Sequence, residues 1–184
     1  MSELTVLFGQ AGAGDVQAFD RIFTLLYPDL EAMARSRLRR GERVTMADTG
    51  ALVHESWLRL QQAGTLGFEN RGHFLAHAAR VMRSVITDIA RRSHAERRGG
   101  DLAQVTLDTA FGEAVAAGDP DVLAVAEAID ALAALEPRLA LVVEMRWFAG
   151  LTEMDIASAL GLTERTVRRD WEKARAYLTV ALKR

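Results

Sequence analysis

The sequence predicts an all-α protein: two small helical domains joined by a flexible linker, the second domain a helix-turn-helix. Three observations carry that expectation. Apolar residues recur at spacings of three and four along most of the chain, and no alternating strand pattern supports a sheet. Only three prolines interrupt 184 residues rich in helix formers. The segment 99–121 opens on Gly-Gly, closes on Gly-Asp-Pro-Asp and holds five acidic residues with no basic one, the composition of a linker. The expected units are therefore 1–98, 99–121 and 122–184.

The net charge of −2 argues at first against nucleic acid, but its distribution says more than its sum. Residues 1–98 carry 14 Arg against 11 Asp and Glu, while 122–184 carry nine of each sign. The acidic linker hides two local basic surfaces. With no cysteine, the chain has no disulfide, thiolate metal site or thiol nucleophile, which suits the cytoplasm. The first residues lack the basic-then-apolar pattern of a signal peptide. No apolar run approaches the ~20 residues of a membrane span, so no membrane insertion is expected.

In order, a short helix is expected over Ser2–Gln10, broken by AGAGD. A strong helix begins at Asp15, with Phe19, Ile22, Phe23 and Leu26 on one face. Pro28 either opens a new helix or kinks a continuous one. Leu30, Met33, Ala34 and Leu38 continue the stripe, and Arg35, Arg37, Arg39 and Arg40 make its end basic. GERVTMADTG reads as a loop, followed by a helix from about Thr49 to Ala63 with Leu52, Val53, Trp57 and Leu60 apolar. GTLGFENRG is a second loop. From Asn70 or Arg71 a helix runs to roughly Arg92, with Phe74, Ala78, Val81, Val85 and Ile89 on its buried side and arginines punctuating the rest. After the linker come a helix over Val122–Leu135, Pro137 as a break or first-turn residue, and an amphipathic helix from Arg138 to Phe148 ended by Gly150.

The last stretch, Leu151–Leu178, carries the most information. Thr152 and Asp155 have capping-box spacing, Gly161 suits a left-handed helix end, and Thr163 can cap the next helix. Val167, Trp171, Ala174 and Leu178 form the apolar face of that second helix. At about 100° per residue, Arg165, Arg169, Glu172 and Lys173 fall opposite, flanked by Thr166 and Arg168. That is the pattern of a helix whose polar face enters the major groove of DNA. An ordinary helical hairpin with a solvated charged face is the bland alternative.

No catalytic constellation stands out. No phosphate-cradling Gly-rich motif follows a strand. His73 and His77 are spaced like a metal pair, but no carboxylate lies between them and no third ligand is evident, so no metal or other cofactor is expected. Trp57, Trp147 and Trp171 fit core positions.

With both halves laid out, the chain resembles the extracytoplasmic-function (ECF) sigma factors of the sigma-seventy superfamily, over about residues 12–98 and 122–184. ALVHESWLRL at 51–60 is similar to the family's region 2.2 helix. FLAHAARVMRSVITDIARR at 74–92 is similar to regions 2.3–2.4, with matching Phe74, Arg80, Asp88, Arg91 and Arg92. LEPRLALVVEMRWFAGLT resembles region 4.1, and the closing helix pair resembles region 4.2.

The resemblance implies a protein that binds core RNA polymerase and directs it to promoter DNA. The minus-thirty-five element would be read as duplex by Arg165, Thr166, Arg168, Arg169 and Lys173. The minus-ten element would be opened and held as a single strand by Phe68, Asn70, Arg71, His77, Arg80, Arg83, Ser84, Arg91 and Arg92. Leu52, Glu55, Leu58 and Arg59 would contact the polymerase clamp. Three departures are specific to this chain. His77 stands where the family often has Trp, and Ser84 where it often has Asn. Asp48-Thr49-Gly50-Ala51 replaces an acidic run before region 2.2, as in a subgroup associated with Ser/Thr protein kinases. Phosphorylation of Thr49, or next of Thr45, would restore that charge; the plainer expectation is that Thr49 caps the helix. An anti-sigma factor is the other regulatory partner the resemblance implies. The rivals are a stand-alone helix-turn-helix regulator that binds DNA by itself and a helical adaptor that binds only protein. The linker further predicts that the two domains pack separately.

Overall fold

The computed structural model describes residues 3–38, 46–63, 67–99 and 122–182, and every regular element among them is helical. The first half holds α1 (Glu3–Gly12), α2 (Val16–Leu38), α3 (Met46–Gln62) and α4 (Arg71–Gly99). The second holds α5 (Val122–Leu135), α6 (Pro137–Val143) running into a π-helical turn (Glu144–Phe148), α7 (Glu153–Leu160) and α8 (Glu164–Ala181). Most of the expected linker, residues 100–121, lies outside the described residues, as do Arg39, Arg40 and Thr45.

Local chemistry sets most of the ends. The Asp15 carboxylate accepts from the amides of Gln17 and Ala18 at 2.9 and 3.2 Å and opens α2. That helix continues through Pro28 as one element. Asn70 accepts from His73 N–H at 2.8 Å and opens α4. Pro137 occupies the first turn of α6, where its missing N–H costs nothing. Two boundaries differ from expectation. α3 starts at Met46 rather than near Thr49, so the end of the expected loop is helical. α4 runs on to Gly99.

The core of the first half is aromatic. Phe19 stacks on Trp57 at 4.1 Å between ring centroids, Phe23 lies 4.5 Å from the same indole, and Phe8, Phe68 and Phe74 pack on one another at 5.1–5.9 Å. In the second half, α5, α6 and α8 pack together around Ile129, Leu132, Val142 and Val167.

The halves do not pack separately. The buried apolar residues form one cluster running from Leu7 to Ala174 through both. α4 is the shared element, packing on α2 and α3 on one side of the sequence and on α5, the π turn and α7 on the other. It accordingly has more than the one buried row its sequence suggests. Phe74, Ala78 and Val85 are buried as expected, and so are Leu75, Ala79, Met82, Ile86 and Ala90. The approach is tight at Gly72, where a Cβ would lie 2.5 Å from that of Ala159 in α7.

Candidate nucleic-acid interface

The α7–α8 pair is held by side chains at its ends. Thr152 Oγ1 accepts from Asp155 N–H at 3.1 Å, and the Asp155 carboxylate accepts from Thr152 N–H at 3.1 Å and from its hydroxyl at 2.6 Å. These bonds favour the charged carboxylate and hold its pKa below the ordinary value. Gly161 closes α7 at φ 64°, a left-handed conformation that a side chain disfavours. Thr163 Oγ1 accepts from Thr166 N–H at 3.2 Å and opens α8.

Along α8, Val167, Asp170 and Ala174 are buried, while Arg165, Arg168, Arg169, Glu172 and Lys173 are exposed. A groove is lined by Arg165, Thr166, Arg168, Arg169 and Glu172. The cations are not equivalent. Arg168 donates to Glu153 Oε2 through Nε and Nη2 at 3.0 and 2.8 Å. Glu153 also accepts from Arg146 Nη1 at 2.8 Å, and the Arg146 guanidinium lies 4.9 Å from the centre of the Trp171 ring. The two arginines, Arg168 foremost, hold the Glu153 pKa down, and Glu153 raises that of Arg168. The buried Asp170 takes a two-pronged contact from Arg138, Nε to Oδ2 at 2.7 Å and Nη2 to Oδ1 at 3.3 Å. Sequence reasoning missed both acids. Asp170 was detectable: three residues after Val167 and four before Ala174, it sits on the apolar row.

A second basic surface lies along α4. Arg71 donates to Asp29 through Nη2 at 2.6 Å and Nε at 3.2 Å, and that contact raises its pKa. Ser84 and Arg91 are exposed. His77 is half-buried with its ring 5.6 Å from Phe68. Arg80 and Arg83 both turn to the second half: Arg80 Nε donates to Glu144 Oε2 at 3.0 Å, and Arg83 Nη2 to Glu144 Oε1 at 3.1 Å. Arg83 Nη1 reaches Asp130 at 2.8 Å and the Ala126 carbonyl at 3.4 Å. Glu144 is 2% exposed, a carboxylate on an otherwise apolar buried face.

Two capped helices with a cationic outer face, and a long arginine-bearing helix beside them, are parts suited to holding a polyanion. The family model for the ECF sigma factor matches residues 1–184, the whole chain. The chain belongs to the ECF sigma factor family. No curated protein and no solved structure matches it. As a sigma factor it directs transcription initiation, and membership implies core RNA polymerase and promoter DNA as its partners. Among the described residues, no cluster of three or more His, Asp and Glu could hold a metal ion, and no helix is long and apolar enough to cross a membrane.

Several residues expected at the sigma factor's surface lie elsewhere. Leu52 is fully buried in the core and has no surface to offer a partner. Leu58, six residues after Leu52 on α3, is 51% exposed, with Glu55 and Arg59 beside it. Arg59 donates to Glu55 at 3.2 Å and to Asp88 of α4 at 2.7 Å, and these carboxylates raise its pKa against the opposing effect of burial. Phe68 is buried against Phe8 and Phe74, a core residue rather than an open stacking platform. Thr49 is the fourth residue of α3, not its cap, and only 2% exposed. The Arg92 side chain lies outside the described residues.

Proposed function

We propose that this sigma factor grips the polymerase–promoter complex at two DNA sites and one protein site. α8 reads the minus-thirty-five element as duplex, through Arg165, Arg169 and Lys173 with Thr166 beside them and Arg168 aimed by Glu153. α4, with Asn70 just before it and Arg71, His77, Arg80, Arg83, Ser84, Arg91 and Arg92 along it, holds the minus-ten strand. The exposed Leu58 of α3, with the half-buried Glu55 and Arg59 beside it, meets the polymerase. The observation that carries this reading is the sorting of α8: cations line its outer face, and Val167, Asp170 and Ala174 on the opposite side are buried. Base edges in the major groove present acceptors that Arg and Lys can contact at that spacing.

The test is transcription with core polymerase from a promoter selected by the protein itself. Arg165→Ala with Arg169→Ala should abolish promoter-specific initiation and leave core binding intact. Leu58→Asp should weaken core binding instead. Tight binding to a promoter duplex without polymerase would favour the stand-alone regulator.

Control by phosphorylation of Thr49 belongs to the same reading. A phosphoryl group adds about −1.5 to −2 charge in the first turn of α3, where the helix dipole favours it. Because Thr49 is buried, a kinase must meet the start of α3 opened, so the modification would remodel that turn as well as charge it. Thr49→Glu is expected to bind core polymerase more tightly than Thr49→Ala. Equal binding by both variants and the parent removes the switch.

A further inference from the structure

We propose that the unbound protein is autoinhibited: its second half folds over α4 and engages, with carboxylates, two of the arginines, Arg80 and Arg83, that would otherwise hold the single-stranded promoter. The proposal rests on the strand-holding role given to α4 above. Glu144 places one oxygen on Arg80 and the other on Arg83, at 3.0 and 3.1 Å, and Asp130 takes a further Arg83 donor at 2.8 Å. A carboxylate oxygen at that distance satisfies a guanidinium as a phosphate oxygen does. Arg83, 12% exposed with both terminal nitrogens engaged, cannot serve both at once, and Arg80, half exposed, gives its Nε to the carboxylate.

Two further observations make this a built contact rather than a chance touch. Glu144 is buried on a face otherwise made of Leu139, Ala140, Val142, Val143 and Met145, and its two carboxylate oxygens accept from these two arginines of the other half. A buried carboxylate without cations is costly, so the closed arrangement requires these arginines to stay on Glu144. Beside it, Gly72 lets α4 approach α7 more closely than any side chain would permit, 2.5 Å from an added Cβ to that of Ala159. Closure is also selective. Arg165, Arg169 and Lys173 on α8 and Leu58 on α3 stay exposed. The closed protein can thus meet polymerase and duplex first; Arg71, Ser84 and Arg91 of the strand-holding set also stay exposed, and Arg83 is freed only when the halves part.

The chain contains no cysteine, so a single reversible cross-link can hold it shut. Gly72→Cys with Ala159→Cys would need the two Cβ atoms about 3.5–4.5 Å apart, a shift of an ångström or two. In the full-length protein, the cross-link should form readily in mild oxidant. The oxidised form should bind a fluorescein-labelled single-stranded DNA at least tenfold more weakly than the reduced form, and should not support transcription by core polymerase. Independently, Glu144→Gln in the cysteine-free parent should tighten binding of the same DNA several-fold, and Arg80→Ala with Arg83→Ala should remove that gain. Equal DNA binding by the Glu144→Gln protein and the parent, or by the cross-linked and reduced forms of the cysteine variant, overturns the occlusion. Binding by none of them overturns the strand-holding role itself, and the occlusion with it.

Discussion

Arg138 shows how unequal the two partners of an ion pair can be. Its own side chain is half in water, whereas the Asp170 carboxylate it holds is 1% exposed. Arg138→Ala therefore strands a buried charge and should cost about 3 kcal/mol by urea unfolding, the low end for broken buried pairs. Arg138→Ala combined with Asp170→Asn should recover part of it. His77 gives a pH dependence of definite sign. Burial, then the charges of Arg80 and His73, hold its imidazole below 6.5, with Glu144 opposing. The folded chain therefore binds this proton more weakly than the unfolded one. Its contribution to stability is complete above pH 6.5 and is lost as pH falls below that value toward the folded-state pKa. His77→Gln should flatten the pH dependence of unfolding in that acid window. An unchanged slope would show that another group sets it.

At the scale of the element, the α7–α8 pair was almost wholly legible. Thr152, Asp155, Gly161 and Thr163 do what their spacing predicts because caps are local chemistry, decided within three or four residues. Each is open to a simple check: Thr152→Ala and Gly161→Ala should each lower stability by about 1 kcal/mol in thermal or urea unfolding, the first by losing a cap and the second by straining a left-handed residue. α3 was less legible. Asp48-Thr49-Gly50 has turn-forming composition, yet burial of Thr49, Leu52 and Val53 accompanies a helix that begins before it. Tertiary packing overrides weak propensity in such a stretch. The same applies to α4. Its first buried row was visible as a period, but Leu75, Ala79 and Met82 look like ordinary small or flexible helix residues until a second neighbour covers them.

For the molecule as a whole, the sequence pointed to separate units because an acidic, Gly-bounded segment divides them. Nothing local announces that Arg80, Arg83 and Glu144 would meet across 61 to 64 residues of chain. One buried cluster running through both halves predicts one cooperative unfolding transition. Variants keeping only Trp57 or only Trp171 should report the same urea midpoint, the first from the aromatic core of α2 and α3, the second from α8. Distinct midpoints would mean that each half holds together alone. Association with a promoter, in contrast, should weaken steeply with salt, since it depends on cations replacing counterions along the phosphates.

The π-helical turn bears on how this protein can vary in length. Ala149 N–H bonds back to the Glu144 carbonyl at 3.0 Å, a five-residue step where an α-helix takes four. The turn thus accommodates one residue more than an α-helix would. Deleting one of Met145, Arg146 and Trp147 would restore the four-residue step and let the helix run on regularly, with Glu144 and the helices after it keeping their register. The Glu144 carboxylate would stay on Arg80 and Arg83. The same deletion in the middle of α8, where no extra residue is stored, would turn everything beyond it by about 100°. A one-residue shortening is therefore absorbed within these five positions and not along a regular helix.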